Sequence, residues 1–106
     1  MRRWRLCRYA GVTLTAGAVA ATSAHAAPDL ELGRYLATEC LICHRAAAAG
    51  SAIPDIFGRP QQELMQVMRA YRDKQLPNPV MQTITSRLKD DEIEALAAYF
   101  ATRPRP

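Results

Sequence analysis

Cys40-Leu41-Ile42-Cys43-His44 is the stretch around which this sequence is organised. Two thiols three positions apart can add across both vinyl groups of a haem, and the imidazole that follows can give its iron a nitrogen ligand. A dithiol redox pair needs no histidine, and a structural zinc site needs more ligands than three cysteines and two histidines readily supply. The motif predicts one haem attached through Cys40 and Cys43 with His44 as axial ligand, and leaves a dithiol pair as the alternative.

The first 26 residues have the three parts of a secretory signal peptide. Four arginines and no acids precede residue 9, a run of small and apolar residues follows at 10–21, and Ala24-His25-Ala26 has the small-x-small form of a cleavage site. The run is shorter than the roughly 20 residues that a membrane span needs. We therefore expect residues 1–26 to be removed on export and residues 27–106 to form one periplasmic domain without a membrane span. An uncleaved membrane anchor is the alternative.

The basic character of the whole chain comes from this N-terminal segment. The formal charge is +4, but residues 27–106 hold ten Lys and Arg against ten Asp and Glu, so nothing in the mature charge indicates nucleic-acid binding. A core built from 80 residues supplies only a few kcal/mol of net stability, and such small domains usually need an additional stabilising link, called here a staple. A covalently held haem would be that staple, so we expect the haem-free chain to be poorly folded.

Apolar periodicity predicts an all-α domain of three to four helices. The first helix begins at the capping residue Asp29 and runs into Cys40, and Gly33 within it predicts close approach by another helix. The second covers residues 61–71, the third starts near Met81, and the last runs from about 90 to 102. The residues expected to share one face in each helix are Leu32, Tyr35 and Leu36 in the first; Leu64, Val67, Met68 and Tyr71 in the second; Ile84 and Leu88 in the third; and Ile93, Leu96, Ala97 and Phe100 in the last.

The segment after His44 predicts a loop. Residues 45–52 are rich in alanine and break at Gly50-Ser51, which suggests a loop folded over one edge of the haem. A backbone carbonyl at Pro54 can accept the proton on the far nitrogen of His44 and so fix the ring's tautomer. The alternative is that Pro54 is an ordinary loop proline.

The sixth ligand of the iron decides between electron transfer and chemistry on a small molecule. His25 leaves with the signal peptide, so the candidates are Met65, Met68, Met81 or no residue. Met65 and Met68 lie inside a helix, where methionine usually serves packing. Met81 follows two prolines, which we expect to hold the chain extended so that the thioether points inward. Met81 is therefore the predicted ligand.

Several motifs in the mature segment resemble small bacterial class I c-type cytochromes. They are Cys40-x-x-Cys43-His44, Ile53-Pro54, Tyr71-Arg72, Asn78-x-x-Met81 and Asp90-x-x-Ile93-x-x-Leu96-Ala97-Ala98-Tyr99-Phe100. Met81-x-x-Ile84 before an acidic last helix is especially similar to the haem subunit of flavocytochrome c sulfide dehydrogenases.

The resemblance implies a cytochrome c-like bundle wrapped around one haem, with Gly33 and Leu36 packed against Leu96 and Tyr99. It also supports Pro54 as the partner of His44.

The sequence departs from the family pattern at two positions. Arg45 replaces the glycine that often follows the histidine, which changes the charge beside the exposed haem edge. Lys89 replaces a common hydroxyl cap, which we expect to shift capping of the last helix to Asp90. Neither change removes a ligand.

The expected function is transfer of single electrons between redox proteins, without catalysis by this chain. One alternative is a dedicated subunit that accepts electrons from a catalytic partner, such as a flavoprotein dehydrogenase that oxidises sulfide. A second is a gas-binding or peroxidatic haem protein with an open sixth position, in which Met81 only packs.

Overall fold

The computed structural model describes residues 11, 12, 14, 16–45 and 51–104. They contain four helices and no strand: α1, Leu30–His44; α2, Gln61–Arg72; α3, Pro79–Thr85; and α4, Asp90–Ala101. The expected all-α architecture is therefore confirmed. No helix within the described part of the chain has the length and apolar character needed to cross a membrane.

Helix α1 begins where its sequence predicts. The Asp29 side chain accepts hydrogen bonds from the backbone N–H groups of Glu31 and Leu32, at 3.1 and 3.0 Å. These bonds satisfy two of the donors that a helix start leaves unpaired. The helix then continues through Cys40 and Cys43, so the whole motif lies on its last turns.

Helices α1 and α4 cross at close range. A Cβ atom added at Gly33 would lie 2.2 Å from the carbonyl oxygen of Ala95 and 2.8 Å from the Cβ of Tyr99. Glycine is required there because the α4 backbone occupies the space of any side chain. The predicted close approach at Gly33 is confirmed, and four α4 residues expected to face inward are all buried, namely Ile93, Leu96, Ala97 and Phe100.

The buried face of α1 differs from the one predicted. Tyr35 is 74 % exposed, whereas Gly33 and Ala37 are buried and Leu32 and Leu36 are half-buried. Small residues allow the α4 backbone to come close, so the helix turns its Gly33 and Ala37 side toward α4. The prediction of Tyr35 as an inward residue was therefore wrong.

Helix α3 begins two residues before the predicted start. Asn78 caps it by accepting a hydrogen bond from the Met81 backbone N–H at 3.1 Å, and Pro79 occupies the first turn. Proline suits that position because its missing N–H would have no helical partner. Pro79 and Val80 are therefore helical, and the extended chain expected before Met81 is limited to Asn78, so that prediction was wrong. Leu88 lies beyond the end of α3.

The start of α4 is also capped differently from the prediction. Lys89 occupies the N-cap position, and the Glu92 carboxylate accepts the Lys89 backbone N–H at 2.8 Å. Asp90 instead accepts a hydrogen bond from Arg72 at 2.8 Å, while Arg72 also donates to the carbonyl of Leu88 at 3.1 Å. The expected shift of capping to Asp90 was wrong, because this carboxylate ties α4 to the end of α2.

Candidate haem site

His44 is held in one orientation by the loop that follows it. The residue is only 7 % exposed, and its Nδ1 lies 2.8 Å from the carbonyl oxygen of Pro54. A carbonyl oxygen can only accept, so Nδ1 carries the proton and Nε2 is left with its lone pair. The predicted partnership with Pro54 is confirmed, and it leaves His44 in the tautomer that a metal ligand requires.

Both cysteines of the motif lie on the last turns of α1 without a disulfide between them. Cys40 is half-buried and Cys43 is exposed, so one thiol faces the interior while the other lies at the surface. Burial raises the pKa of the Cys40 thiol, and the charge of Glu39 adds to that rise. A raised pKa is usual for a thiol in apolar surroundings.

Two adjoining cavities lie beside the motif, with volumes of about 310 and 400 Å³. Both are lined by Cys40, His44, Pro54 and Met81, together with Ala52 and Asn78. We refer to the two together as the cleft. The cleft thus brings the attachment motif, the oriented histidine and the predicted thioether to one space.

The three methionine candidates differ in their relation to the cleft. Met81 lines both cavities, whereas Met68 lines only the smaller one. Met65 packs against the core cluster, and its sulfur lies 3.9 Å from the amide nitrogen of Gln61. The geometry therefore favours Met81 as the partner of His44 and leaves Met68 as the alternative.

The walls of the cleft are largely apolar and only partly covered by protein. The residues predicted to form the α2 stripe all line it, namely Leu64, Val67, Met68 and Tyr71. The larger cavity is lined in addition by Ile53 and by Val80, which is 65 % exposed. A space with apolar walls, one imidazole nitrogen and the thioethers of Met68 and Met81 has the donor set and polarity that a flat porphyrin requires. The residues present therefore fit haem c.

The cleft also contains a charged pair that the sequence analysis missed. Arg59 and Glu63 line the smaller cavity and form an ion pair across one turn at the start of α2. Their spacing of four residues is the usual signal for such a pair on a helix surface. That signal does not show that the pair lies at the cleft, because Arg59 precedes α2 and its position depends on the tertiary fold.

Two predictions lie largely outside the described residues. The first is the loop expected over one haem edge, because residues 46–50 are not described. The second is the predicted signal peptide, because residues 1–10, 13 and 15 are not described. Residues 16–29 lie within the description and have no regular secondary structure. The division into a signal peptide at 1–26 and a domain at 27–106 stays a prediction.

Comparison with known proteins gives two curated relatives. The chain is 37% identical over 68 residues to the thiosulfate dehydrogenase electron acceptor of Stutzerimonas stutzeri, a match that covers 59% of this chain and 32% of that protein. It is 30% identical over 82 residues to cytochrome c4 of Pseudomonas aeruginosa, covering 76% of this chain and 41% of the relative. No protein-family model matches the chain.

These relatives agree with the helical fold. The chain spans less than half the length of each relative that it matches. Both relatives are c-type cytochromes, and the four helices and the Cys40 to His44 motif are those that a haem-binding domain of this kind needs. The chain is thus similar in sequence to c-type cytochromes, at modest identity, and its helices are consistent with their fold.

Proposed function

We propose that the chain is a periplasmic carrier of single electrons with one haem c, attached through Cys40 and Cys43 and ligated by His44 and Met81. One observation carries the proposal most directly. His44, oriented by Pro54, and Met81 line the same two cavities, as does Cys40. Filling both axial positions with protein groups leaves no open site for a substrate, which suits a centre that only changes its oxidation state.

The surrounding residues have defined tasks in this mechanism. A bound haem supplies an iron that alternates between the ferric and ferrous states. The hydrogen bond from His44 to the Pro54 carbonyl fixes the imidazole, so little reorganisation accompanies the change of charge. The apolar α2 stripe limits access of water from its side of the cleft. The thioether of Met81 favours the reduced state relative to a second imidazole.

A surface for a redox partner lies where the motif reaches solvent. Ile42 is 80 % exposed beside the exposed Cys43, and Val80 and Ile53 are exposed at the mouth of the larger cavity. Transient redox complexes use small interfaces, so a modest apolar patch is sufficient. The balanced charge of residues 27–106 supports short-range contact rather than long-range electrostatic steering.

The proposal is tested by the intact mass of protein exported by a host with haem-attachment machinery. We expect the mature chain to keep the mass of one haem under denaturing conditions, and to begin after the cleavage site at Ala26. Cys40→Ser and Cys43→Ser should each lose one thioether bond and reduce the yield of holoprotein. Ile42→Ser, between the two cysteines, is the matched control and should keep both bonds. Full yield with two linkages in either cysteine variant would refute the attachment.

A second candidate function is that of an electron-accepting subunit for a sulfur-compound dehydrogenase. It is supported by the name of the Stutzerimonas relative, the thiosulfate dehydrogenase electron acceptor. A flavoprotein that oxidises sulfide is a further possible electron donor, on the family resemblance alone. Gentle purification separates these cases. Haem absorption alone indicates a free carrier, whereas a second redox protein in fixed proportion identifies this chain as a subunit and names its donor.

A gas-binding or peroxidatic role has an equally direct test. It requires Met81 to serve only in packing, so the reduced protein would bind carbon monoxide at full stoichiometry. We expect the wild-type protein to resist carbon monoxide, because the thioether occupies the position that the gas needs.

A further inference from the structure

We propose that Thr85 is a positioning residue for the proposed ligand Met81: its hydroxyl holds the backbone carbonyl of Met81 and thereby keeps the thioether at the iron. The inference rests on the proposed function, because it takes Met81 as the axial ligand. It adds a means by which the fold controls how readily that ligand is released.

The first support is the burial of Thr85. Of the polar side chains that the structure describes, His44 and Thr85 are the two that are buried. Thr85 is 1 % exposed, and its hydroxyl donates to the Met81 carbonyl at 2.8 Å. A second contact, with the Gln82 carbonyl, is 3.5 Å and therefore long for a hydroxyl donor. Since a buried hydroxyl needs a partner to offset its loss of water, the folded protein keeps Thr85 and Met81 together.

The second support is that the N–H of Met81 is held as well. The Asn78 side chain accepts this N–H at 3.1 Å, and the Asn78 backbone carbonyl accepts the Gln82 N–H at 2.9 Å. Both backbone polar groups of Met81 therefore have a side-chain partner. Helix α3 has only seven residues, and a helix this short is marginal in water by itself. The position of Met81 at the cleft thus depends on such contacts.

The third support is that both holding residues are tied to structure outside α3. The Leu88 N–H donates to the Thr85 carbonyl at 3.0 Å, and the Leu88 carbonyl accepts a hydrogen bond from Arg72 of α2 at 3.1 Å. On the other side, the Asn78 N–H donates to the Leu76 carbonyl at 3.0 Å. The backbone of the proposed ligand is therefore connected to α2 through one residue and to the preceding loop through the other.

A held backbone limits release of the thioether. When the sulfur leaves the iron, the side chain of a residue with a fixed backbone stays close and can bind again. An added ligand binds only while the position is open, so its apparent affinity is proportional to the fraction of open molecules. Removing the Thr85 hydroxyl should raise that fraction roughly two- to tenfold, the effect of losing one net hydrogen bond.

The test titrates the oxidised holoprotein with imidazole, which competes with the thioether for the iron. Thr85→Val keeps the shape of the side chain and removes the hydroxyl, whereas Thr85→Ser keeps the hydroxyl. Thr85 lines neither cavity of the cleft, so its replacement leaves the walls of the haem space unchanged. The matched control is Thr83→Val, because the exposed Thr83 donates within the same helix to a different carbonyl, that of Pro79, at 2.9 Å.

We expect Thr85→Val to bind imidazole roughly two- to tenfold more tightly than wild type. Thr85→Ser and Thr83→Val should bind it like wild type, and Met81→Ala should bind it more tightly than all of them because its position is open. Equal affinities for Thr85→Val and Thr83→Val overturn the inference.

A general loss of stability is separated by a second control. Gly33→Ala disturbs the crossing of α1 and α4, and it should leave the imidazole affinity unchanged even though the protein unfolds more easily. If Gly33→Ala raises the affinity as much as Thr85→Val, Thr85 acts through overall stability and the inference is refuted.

If Thr85→Val does not accumulate, the pair Thr85→Ser and Thr85→Ala decides, because these two variants differ only in the hydroxyl. Equal imidazole affinity within that pair refutes the inference. A wild-type protein without covalent haem, or a Met81→Ala variant with the affinity of wild type, would instead refute the proposed function, and the inference with it.

Discussion

The two sides of this small fold are built in different ways. Where α1 crosses α4, backbone and small side chains are in direct contact, and Ala37, Ile93 and Ala97 are completely buried. Where α2 and α3 face the cleft, the apolar residues Val67 and Val80 remain exposed. The difference indicates that protein contacts alone complete the α1–α4 side, whereas the cleft side leaves apolar surface that the proposed haem would cover.

The largest effect should follow from removing that ligand. Replacing both Cys40 and Cys43 with alanine prevents covalent attachment, and we expect the chain to lose cooperative unfolding because an all-protein core of this size is marginal. Thermal unfolding followed by circular dichroism measures the loss, with Ile42→Ala as the control. Hydrogen exchange should show protection lost first in α2 and α3. A haem-free chain that unfolds as sharply and at the same temperature as the holoprotein would remove the proposed difference between the two sides.

A smaller effect should follow from disturbing the side that protein contacts complete. In Gly33→Ala, the new methyl group meets the carbonyl oxygen of Ala95, so the helices must separate. Overpacking of this kind costs about 1–3 kcal/mol, occasionally more. Urea unfolding of the holoprotein measures the loss, and Arg34→Ala at the exposed neighbouring position should change little. The visible spectrum should stay the same, because Gly33 does not line the cleft. Unchanged stability would mean that the helices cross less closely than described.

The smallest effect should come from the ion pair that ties α2 to α4. The hydrogen bond from Arg72 holds the pKa of Asp90 below its ordinary value, and the Coulombic attraction of Arg72 adds to it. The folded protein therefore binds fewer protons than the unfolded chain between the two pKa values. The contribution of this ion pair to stability is fully present above the pKa of Asp90 in the unfolded chain, about 3.9, and is lost as the pH falls through the pKa in the folded protein.

The free energy of unfolding of Asp90→Asn, measured at several pH values, tests this pH dependence. The variant should be slightly less stable than wild type at neutral pH, and the difference should shrink under acid conditions. Asp91→Asn is the matched control, because Asp91 also lies in the first turn of α4 but takes part in none of the ion pairs found among the described residues. An equal effect for both variants would attribute the contribution to the helix dipole rather than to Arg72.

The sequence predicted the features that depend on local chemistry. The Asp29 cap, the bounds of α4 and the close approach at Gly33 are confirmed, because each follows from residue types with strong local preferences. The bond from His44 to Pro54 is also confirmed, but its prediction relied on the family resemblance. The motif at Cys40 to His44 likewise indicated the site before any fold was known.

The features that depend on packing were harder to predict. Periodicity placed Tyr35 on an apolar face but did not show that α4 approaches the Gly33 and Ala37 side instead. Asn78 is a residue type that often caps helices, but the prolines beside it favoured the interpretation of an extended chain. The position of Arg59 at the cleft follows from the turn at Gly58, which only the tertiary contact with Phe100 fixes.

The central claim is that His44 and Met81 would both ligate the iron of a haem held in the cleft. The most direct test is the long-wavelength sulfur-to-iron charge-transfer band of the oxidised protein, recorded for wild type, Met81→Ala and the control Met65→Ala. We predict that wild type and Met65→Ala show the band and that Met81→Ala lacks it, with a lower midpoint potential and binding of added ligands. A band that persists in Met81→Ala would contradict the claim and transfer the role to Met68.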